Sequence, residues 1–554
     1  MTIDAIKRRL VRFNTAQAGI LLLVLAVFTI TFVFPLGTLF SKAFTGNTGK
    51  FIGLANYKRY FNTPSLSVSM WNTFFISLAA TAFSSVFGFL YAYAITRTAI
   101  PAKTLFKYIA LFPIFIPTVV HALGLVYIFG RQGFITRLGF DIALYGRNGI
   151  IISEIIYTFP QAFLLFFVAL EYADGRLYEA CNAMGIGPLR QFLHVTLPEI
   201  KYTVINTLFV CFTLAFTDFG APKVIGGSYN VLATDIYKQI AGQFNMNMGA
   251  VVGTLLLIPA VVSFITDRFV SGKNSSTLSA KTTRLAVKRN PLRDIVFFLF
   301  CAVIALCFAL LVVSLCVGAF TAYYPYDLGF TLKHFIFNKA TGGIGSFFHS
   351  IWMSALTAAF GTAFVFLYAY MMEKTQGLSA LTRYGKLLSV LPLAVPGMVV
   401  GISFIFFFNA QNNPLNFMYG TVAILVLSNI IHYFSVPYLN AAGALKKLDH
   451  EFESVAESMK IPRWQTFFRV SVPLSFHAIA EIAMYFFVNS MVTVSALVFL
   501  YSANFKVASI AITHMEEAGD ISQAAAMSLL ILFINITVRV LYEFIPPALK
   551  PKNS

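Results

Sequence analysis

Charge is what this chain has least of: only 11% of its 554 residues are Asp, Glu, Lys or Arg, against about 25% in ordinary soluble domains. That shortage excludes a soluble globular protein. Acidic residues are the scarcer sign, 22 against 40 Lys and Arg. Cysteine is also rare. The five, Cys181, Cys211, Cys301, Cys307 and Cys316, are odd in number and four fall in apolar runs, so they define no disulfide framework or metal-ligand spacing and read as packing residues. Motifs for chemistry are missing too. Gly46-Asn-Thr-Gly-Lys50 lacks both the first glycine, at position 44, and the hydroxyl residue that a phosphate-binding loop places after its lysine. No histidine pair has zincin spacing and no Gly-x-Ser-x-Gly elbow occurs. The sequence therefore predicts no catalytic residue, no metal and no cofactor, and any energy it uses must come from another subunit.

What the chain has in abundance is apolar length, with 58% of residues hydrophobic. Runs of about 20 apolar residues, enough to cross about 30 Å of hydrocarbon, recur throughout. They read as twelve spans, near 19–40, 70–96, 105–129, 149–170, 201–224, 246–267, 294–320, 346–372, 384–409, 417–441, 476–500 and 521–545. The expected class is an all-α membrane protein. The net charge of +18 then reports topology rather than nucleic-acid binding, and no nucleic acid is expected. With the N-terminus in the cytosol, about 27 of the 40 basic residues fall inside and about 12 outside, as the positive-inside rule requires. The inner set includes Lys7, Arg8, Arg9, Arg12, Lys446, Lys447, Arg463 and Arg469. The first apolar run is too long for a cleavable signal peptide and no small-residue cleavage site follows it.

The spans fall into two copies. Phe89-Leu-Tyr-Ala-Tyr93 recurs as Phe366-Leu-Tyr-Ala-Tyr370, and the proline spacing of Phe112-Pro-Ile-Phe-Ile-Pro117 recurs in Leu391-Pro-Leu-Ala-Val-Pro396. Six spans is an even number, so the copies are parallel repeats. The expected boundaries are 1–270 for the first, 271–293 for a basic cytosolic linker lying against anionic lipid, and 294–554 for the second. Both termini are expected in the cytosol.

Each copy carries one polar helical loop between its fourth and fifth spans, at 174–198 and 449–473. Leu177, Ala180, Cys181 and Met184 match Phe452, Val455, Ala456 and Met459 without a gap, an i, i+3, i+4, i+7 stripe in both. Gly185 should end the first helix at positive φ, Pro188 should restart it, and Leu197-Pro198 should return the chain to the membrane. Pro462 and Val472-Pro473 keep the restart and the exit in the second copy. The pattern of Glu179, Ala180, Gly185 and Pro198 resembles the coupling loop of permease subunits of binding-protein-dependent bacterial ABC importers. The second copy departs from it, with Ser454 in place of glutamate and Lys460 in place of glycine.

The resemblance covers the whole chain as two fused permease domains of the type I importer kind, similar to ferric-iron permeases and to 2-aminoethylphosphonate permeases. The segment 217–237 looks most like the latter. The resemblance implies a bacterial inner-membrane location, two copies of a cytosolic ATPase docked on Glu179, Ala180, Gly185, Leu197, Pro198, Val455, Ala456, Lys460 and Pro473, and an external solute-binding protein. 2-Aminoethylphosphonate is the expected solute, with ferric iron, thiamine and polyamines as alternatives. A secondary transporter of the major facilitator kind also has twelve spans in two halves, but it needs no matched loop. An integral membrane enzyme would need the motifs found missing above.

Ionisable groups at membrane depth mark candidate sites, and Glu154, Asp218, His432 and Glu481 qualify. Asp218 lies with Thr213 and Thr217 near Pro222, and its repeat counterpart Thr493 lies with Asn489 and Ser490. These six are the expected solute path, with helix capping or pairing to Lys223 as the competing role for Asp218. Interhelical hydrogen bonding is expected of Glu154, of its counterpart Asn429 and of His432. Pro113, Pro117, Pro392 and Pro396 are expected to kink two spans and so form gates. A lone His121 carries little weight as a metal ligand.

Overall fold

The computed structural model describes residues 15–271, 287, 289–375, 378–449 and 451–544. The N-terminal basic cluster and most of the basic linker lie outside the described residues. The first half runs α1 (Gln17–Phe44), α2 (Pro64–Arg97), α3 (Lys103–Leu111), α4 (Thr118–Phe129), α5 (Arg147–Glu171), α6 (Gly175–Ala183), α7 (Pro188–Thr217), α8 (Gly220–Ile225) and α9 (Met246–Ser271). The second half begins with α10 (Pro291–Phe320), α11 (Gly345–Lys374), α12 (Ser379–Val390), α13 (Gly397–Phe408), α14 (Val422–His432) and α15 (Ser435–Lys447). It continues with α16 (Glu451–Ser458), α17 (Arg463–Leu474), α18 (Phe476–Val492), α19 (Ala508–Glu517) and α20 (Ile521–Glu543). Nine helices among the described residues are long and apolar enough to cross a bilayer, and twelve if each of three bent pairs counts as one span. A short antiparallel hairpin after α10 pairs Thr321 with Phe330 and Tyr323 with Asp327; the sequence pattern did not announce it.

The proline pairs do more than kink their spans. In the first half, α3 gives way to a 3₁₀ turn over Phe112–Phe115, Ile116 is extended, and Pro117 caps α4. In the second half the same series runs through Leu391–Ala394, extended Val395 and Pro396, and the helices on either side meet at 112°. The expected continuous spans at 105–129 and 384–409 are therefore broken. The cause is local: a residue before proline is pushed out of the α region, and that residue is Ile116 in one copy and Val395 in the other. His121 uses the break, since its Nε2 donates to the Pro113 carbonyl at 3.3 Å. The span at 417–441 bends by 60° between α14 and α15, and the helix expected over 476–500 stops at Val492.

The chain divides into two compact units that do not coincide with the two sequence repeats. One comprises Met1–Ile52, Gly342–Ala511 and Leu530–Ser554; the other comprises Gly53–Thr341 and Ile512–Leu529. The leading helix of each repeat thus belongs to the unit built from the other repeat. Within the first unit, Phe28 of α1 packs on Phe434 at 4.4 Å and Tyr368 at 5.5 Å. Within the second, Phe308 of α10 meets Phe159 at 5.4 Å, and Cys301 is fully buried in the same cluster. The first two pairs are tilted and the third is edge-on, and aromatic pairs at these separations are favourable beyond their buried area.

The repeated Phe-Leu-Tyr-Ala-Tyr motif now has a reason. Its central tyrosines, Tyr91 and Tyr368, are fully buried. Each donates its hydroxyl to a backbone carbonyl of the short helix before the break, Phe106 at 3.0 Å and Gly385 at 2.8 Å. A buried phenol needs such a partner, and the partner fixes α3 and α12 against the long helices α2 and α11.

Candidate functional site

The two polar loops are built alike, residue by residue. Asp174 opens α6 by accepting from the Arg176 amide at 3.1 Å, and Asp449 opens α16 by accepting from the Glu451 amide at 3.1 Å. Aspartate at this position satisfies an amide that the helix leaves unpaired. At the other end Gly185 sits at φ +68° and Lys460 at φ +53°. Beyond each of them the chain folds back, with Ile186 N–H donating to Cys181 O at 2.9 Å and Ile461 N–H donating to Ala456 O at 2.8 Å. This is the Schellman closure of a helix. Helices then restart at Pro188 and Arg463, pass through a wide π turn at Phe192–Thr196 or Phe467–Ser471, and lead into the next span.

The apolar stripe is split in the same way in both copies. Cys181 and Ala456 are buried, while Leu177, Ala180 and Met184, and Phe452, Val455 and Met459, are exposed. Met184 and Met459 are each 68% exposed. The stripe continues with exposed Leu189 and Leu193 in the first loop and exposed Trp464 and Phe468 in the second. Glu179, Gly185, Leu197, Pro198, Lys460 and Pro473 are exposed as well. A groove of about 440 Å³ runs along the second loop, lined by Phe452, Val455, Ile461, Gln465 and Arg469 among others. Two sets of large apolar side chains, presented on short capped helices with the same geometry, form a surface suited to a helix-in-groove partner.

Each loop is held from behind by the long helix preceding the break. Phe192 packs on Phe89 at 5.8 Å, and Phe467 packs on Phe366 at 5.8 Å. Arg97 at the end of α2 meets Tyr178 of α6, and Lys374 at the end of α11 meets Glu453 of α16. Sequence reasoning missed these anchors and the aspartate caps. A signal was present for both, because each basic residue follows the repeated aromatic motif at the same distance and each aspartate opens its loop.

Asp218 is half-buried and caps the broken helix. It accepts from Thr118 Oγ1 at 2.8 Å and from the Ala221 amide at 3.0 Å, so it joins the end of α7 to the starts of α4 and α8. Lys223, the expected ionic alternative, pairs instead with Glu517 at 2.6 Å. Glu154 of α5 is fully buried facing Asp218. Among the described residues neither of its oxygens meets a partner at strict hydrogen-bonding geometry, and the Asp218 carboxyl is the acidic group it interacts with. Thr217 donates back to Thr213 O at 2.9 Å, which commits its hydroxyl to its own helix. In the other copy Thr493 ends α18 and Ser509 Oγ donates to its carbonyl at 2.6 Å, while Asn489 donates to Tyr485 O at 2.8 Å. Ser490 is buried. Of the hydrogen bonding expected around Glu154, Asn429 and His432, the facing Glu154 and Asp218 carboxyls interact across two helices, and Asn429 Nδ2 makes a weak contact with Met353 Sδ at 3.7 Å. Glu481 is exposed on the second turn of α18, shortly after the 77° bend that separates α17 from α18.

Comparison with known proteins agrees with the doubled architecture. The family described as binding-protein-dependent transport system inner membrane component matches residues 85–271 and again 371–551. The ferric transport system permease protein FbpB of Actinobacillus pleuropneumoniae is 28% identical over 491 residues, covering 86% of this chain and 70% of that protein. A Haemophilus influenzae chain whose name carries a provisional ferric-transport assignment, FbpB 1, is 30% identical over 453 residues, covering 79% and 70%. The Fe(3+)-transport system permease protein FbpB 2 of Haemophilus influenzae is 22% identical over 500 residues, covering 89% and 93%.

Proposed function

Because the chain belongs to the family of binding-protein-dependent transport system inner membrane components, we propose that it forms the whole membrane path of an ABC importer whose ATPase docks on the loops 174–198 and 449–473. The family match removes the major-facilitator alternative, and the family is a transport component rather than an enzyme. The observation that carries the docking reading is the matched exposure of Leu177, Ala180 and Met184 with Phe452, Val455 and Met459. Two equivalent surfaces call for two copies of one cytosolic ATPase, and on this reading both termini lie in the cytosol. An external binding protein delivers the solute from the opposite side. ATP-driven closure of the ATPase pair moves the loops, and the helices behind them switch the path between inward and outward access. The broken spans at Pro113/Pro117 and Pro392/Pro396 are the gates of that switch.

For the solute, the names of the relatives favour ferric ion, which becomes the first reading. 2-Aminoethylphosphonate is the second, supported by the segment 217–237. Asp218 contributes to the path from its half-buried position, in addition to its capping bonds. The test of docking is purification of the complex: one permease chain should carry two ATPase copies, and a stable complex with one copy or none would count against it. The test of solute is uptake of radiolabelled ferric ion and of radiolabelled 2-aminoethylphosphonate in cells with and without the operon that encodes this chain. Uptake of only the second would reverse the order of the two readings.

A further inference from the structure

Two buried cations occupy the same place in the two repeats, yet each is held by different chemistry. Arg97 and Lys374 each follow the final tyrosine of the Phe-Leu-Tyr-Ala-Tyr motif by four residues, and their partners Tyr178 and Glu453 each follow the capping aspartate by four. Arg97 is 6% exposed. Its guanidinium lies 4.6 Å from the centre of the Tyr178 ring and donates to the Tyr178 hydroxyl at 3.4 Å. That hydroxyl is also hydrogen-bonded to Thr196 at 2.9 Å. The Lys374 side chain is 3% exposed, its ammonium is 2.9 Å from Glu453 Oε1, and it donates to the Leu448 carbonyl at 3.3 Å.

Burying a cation is expensive, and an apolar residue would pack a helix end at less cost. A cation kept in both copies, while its partner changed from a neutral ring to a carboxylate, points to its position as the property retained. That position joins the last turn of a long helix, α2 or α11, to the first turn of the loop helix, α6 or α16. The aromatic pairs Phe89–Phe192 and Phe366–Phe467 supply a second point of attachment on the far arm of each loop. Two separated contacts make a rigid bracket where one would make a pivot.

We propose that Arg97 and Lys374 are positioning residues that lock each loop helix to the long helix behind it, so that a push on the loop moves the span as one body. The proposal rests on the docking reading above, and it gives that surface a route for transmission. The bracket is a direct ion pair in the second copy and a cation–π contact with a hydrogen bond in the first, where the Glu199 carboxylate is within electrostatic reach of the guanidinium, which predicts that the two copies fail differently.

The experiment uses the complete complex with its ATPase and measures distance distributions between spin labels carried on unnatural amino acids. One pair sits at Ser458 and Phe360 and reports on the second copy; the other sits at Ala183 and Phe83 and reports on the first. All four positions are exposed and none belongs to the docking stripe. The wild type should give one narrow distribution per pair, the same without nucleotide and with ATP and vanadate. Lys374→Met should broaden the Ser458–Phe360 distribution and shift it when ATP and vanadate are added. The reversed pair Lys374→Glu with Glu453→Lys should narrow it again. In the first copy Arg97→Gln should broaden the distribution and Arg97→Lys should leave it narrow, since lysine still places a cation over the ring. A purely structural role would lower the yield of complex and leave these distributions alone. Distributions for Lys374→Met and Arg97→Gln matching the wild type, or a reversed pair no narrower than the single variant, would overturn the proposal. If Lys374→Met does not accumulate, Glu453→Gln carries the same test, with broadening expected and an unchanged distribution overturning it. Absence of ATPase from the wild-type complex would overturn the docking reading, and the nucleotide-free distributions would still decide the bracket.

Discussion

The first loop obeys the sequence rules for its shape and the second loop breaks them, yet the backbone is nearly the same. Gly185 at φ +68° has no side chain to strain, whereas Lys460 holds φ +53° with a full side chain, a conformation costing a non-glycine residue roughly 1 kcal/mol. The second loop also leaves its helix at a 77° bend, while the first runs unbroken from Pro188 to Thr217. Behind the loops, a tyrosine faces a guanidinium in one copy and a carboxylate faces an ammonium in the other. The comparison teaches that what both copies keep is geometry: the capping aspartate, the left-handed turn, the exposed triad and the cation behind it. Residue identity varies wherever another residue can hold the same atoms in place.

The exposed stripe offers the sharpest way to break the equivalence. Trp464 and Leu189 occupy matching positions, 63% and 72% exposed, and aromatic residues dominate the energetics of protein interfaces. Trp464→Ala should weaken ATPase binding by at least about 2 kcal/mol, a loss of about 30-fold, and Leu189→Ala by about 1 kcal/mol. Titrating detergent-solubilised permease with labelled ATPase would measure both. A larger loss from Leu189→Ala would mean that the first loop, with the fuller family pattern, is the dominant docking point.

The helix breaks give the next largest contrast. Asp218→Ala removes both the acceptor for Thr118 and the cap for Ala221, so it should destabilise the protein by about 1–3 kcal/mol. Asp218→Asn keeps an acceptor and should lose less. Thr493→Ala, at the matching break, should cost under about 1 kcal/mol, because a serine from elsewhere bonds its backbone carbonyl. Thermal unfolding in detergent tests this order. A fall in uptake at matched protein levels would assign Asp218 to the solute path as well; normal uptake by a folded Asp218→Asn would leave it as a cap alone.

Much of this contrast could be read before any coordinates. The loops were legible because helical periodicity, a helix-ending glycine and a restarting proline each have a local cause. The spans were legible because hydrocarbon thickness sets their length. The exchange of leading helices between units was not legible: α1 and α10 are apolar on every side, so no stripe names the bundle they join. The proline breaks were half legible. Their sites were marked, but whether the freed carbonyls find partners, as the Pro113 carbonyl does at His121, depends on residues that fold nearby. Asp218 stood out as polar at membrane depth, while its partner Thr118 lies 100 positions earlier, beyond any spacing rule. Lys460 was misleading in the opposite sense, since an unfavourable residue concealed a turn that the fold imposes regardless.

The aspartate caps test whether equivalence extends to energy. Asp174→Ala and Asp449→Ala should each cost about 1 kcal/mol, read as about fivefold faster hydrogen exchange in the first turn of α6 or α16. Asp174 also forms an ion pair with Arg176 at 3.0 Å, but Arg176 is exposed and such pairs contribute little. Equal effects are therefore expected. A clearly larger loss at Asp174 would show that the surface pair matters more than the cap.

The smallest expected effect isolates the turn. Lys460→Gly should stabilise the second loop by about 0.5–1 kcal/mol, and Gly185→Ala should destabilise the first by a similar amount. Space does not oppose the change at Gly185, because a Cβ there would meet nothing within 4 Å, so backbone strain alone sets its sign. Gly185→Asp should fold at least as well as Gly185→Ala, since aspartate tolerates the left-handed region better than most residues. Any larger loss of coupling in Gly185→Asp must then come from the side chain meeting the docked partner. Lys460→Asp keeps a side chain where one already stands, so its effect on coupling should be smaller. Exchange rates at Ile186 and Ile461, whose amides close the two turns, measure the folding part of each effect, and co-purified ATPase measures the docking part. If Lys460→Gly slows exchange at Ile461 yet weakens ATPase retention, the lysine is a contact of the second loop rather than a tolerated strain, and the two loops are equivalent in shape but specialised in what they touch.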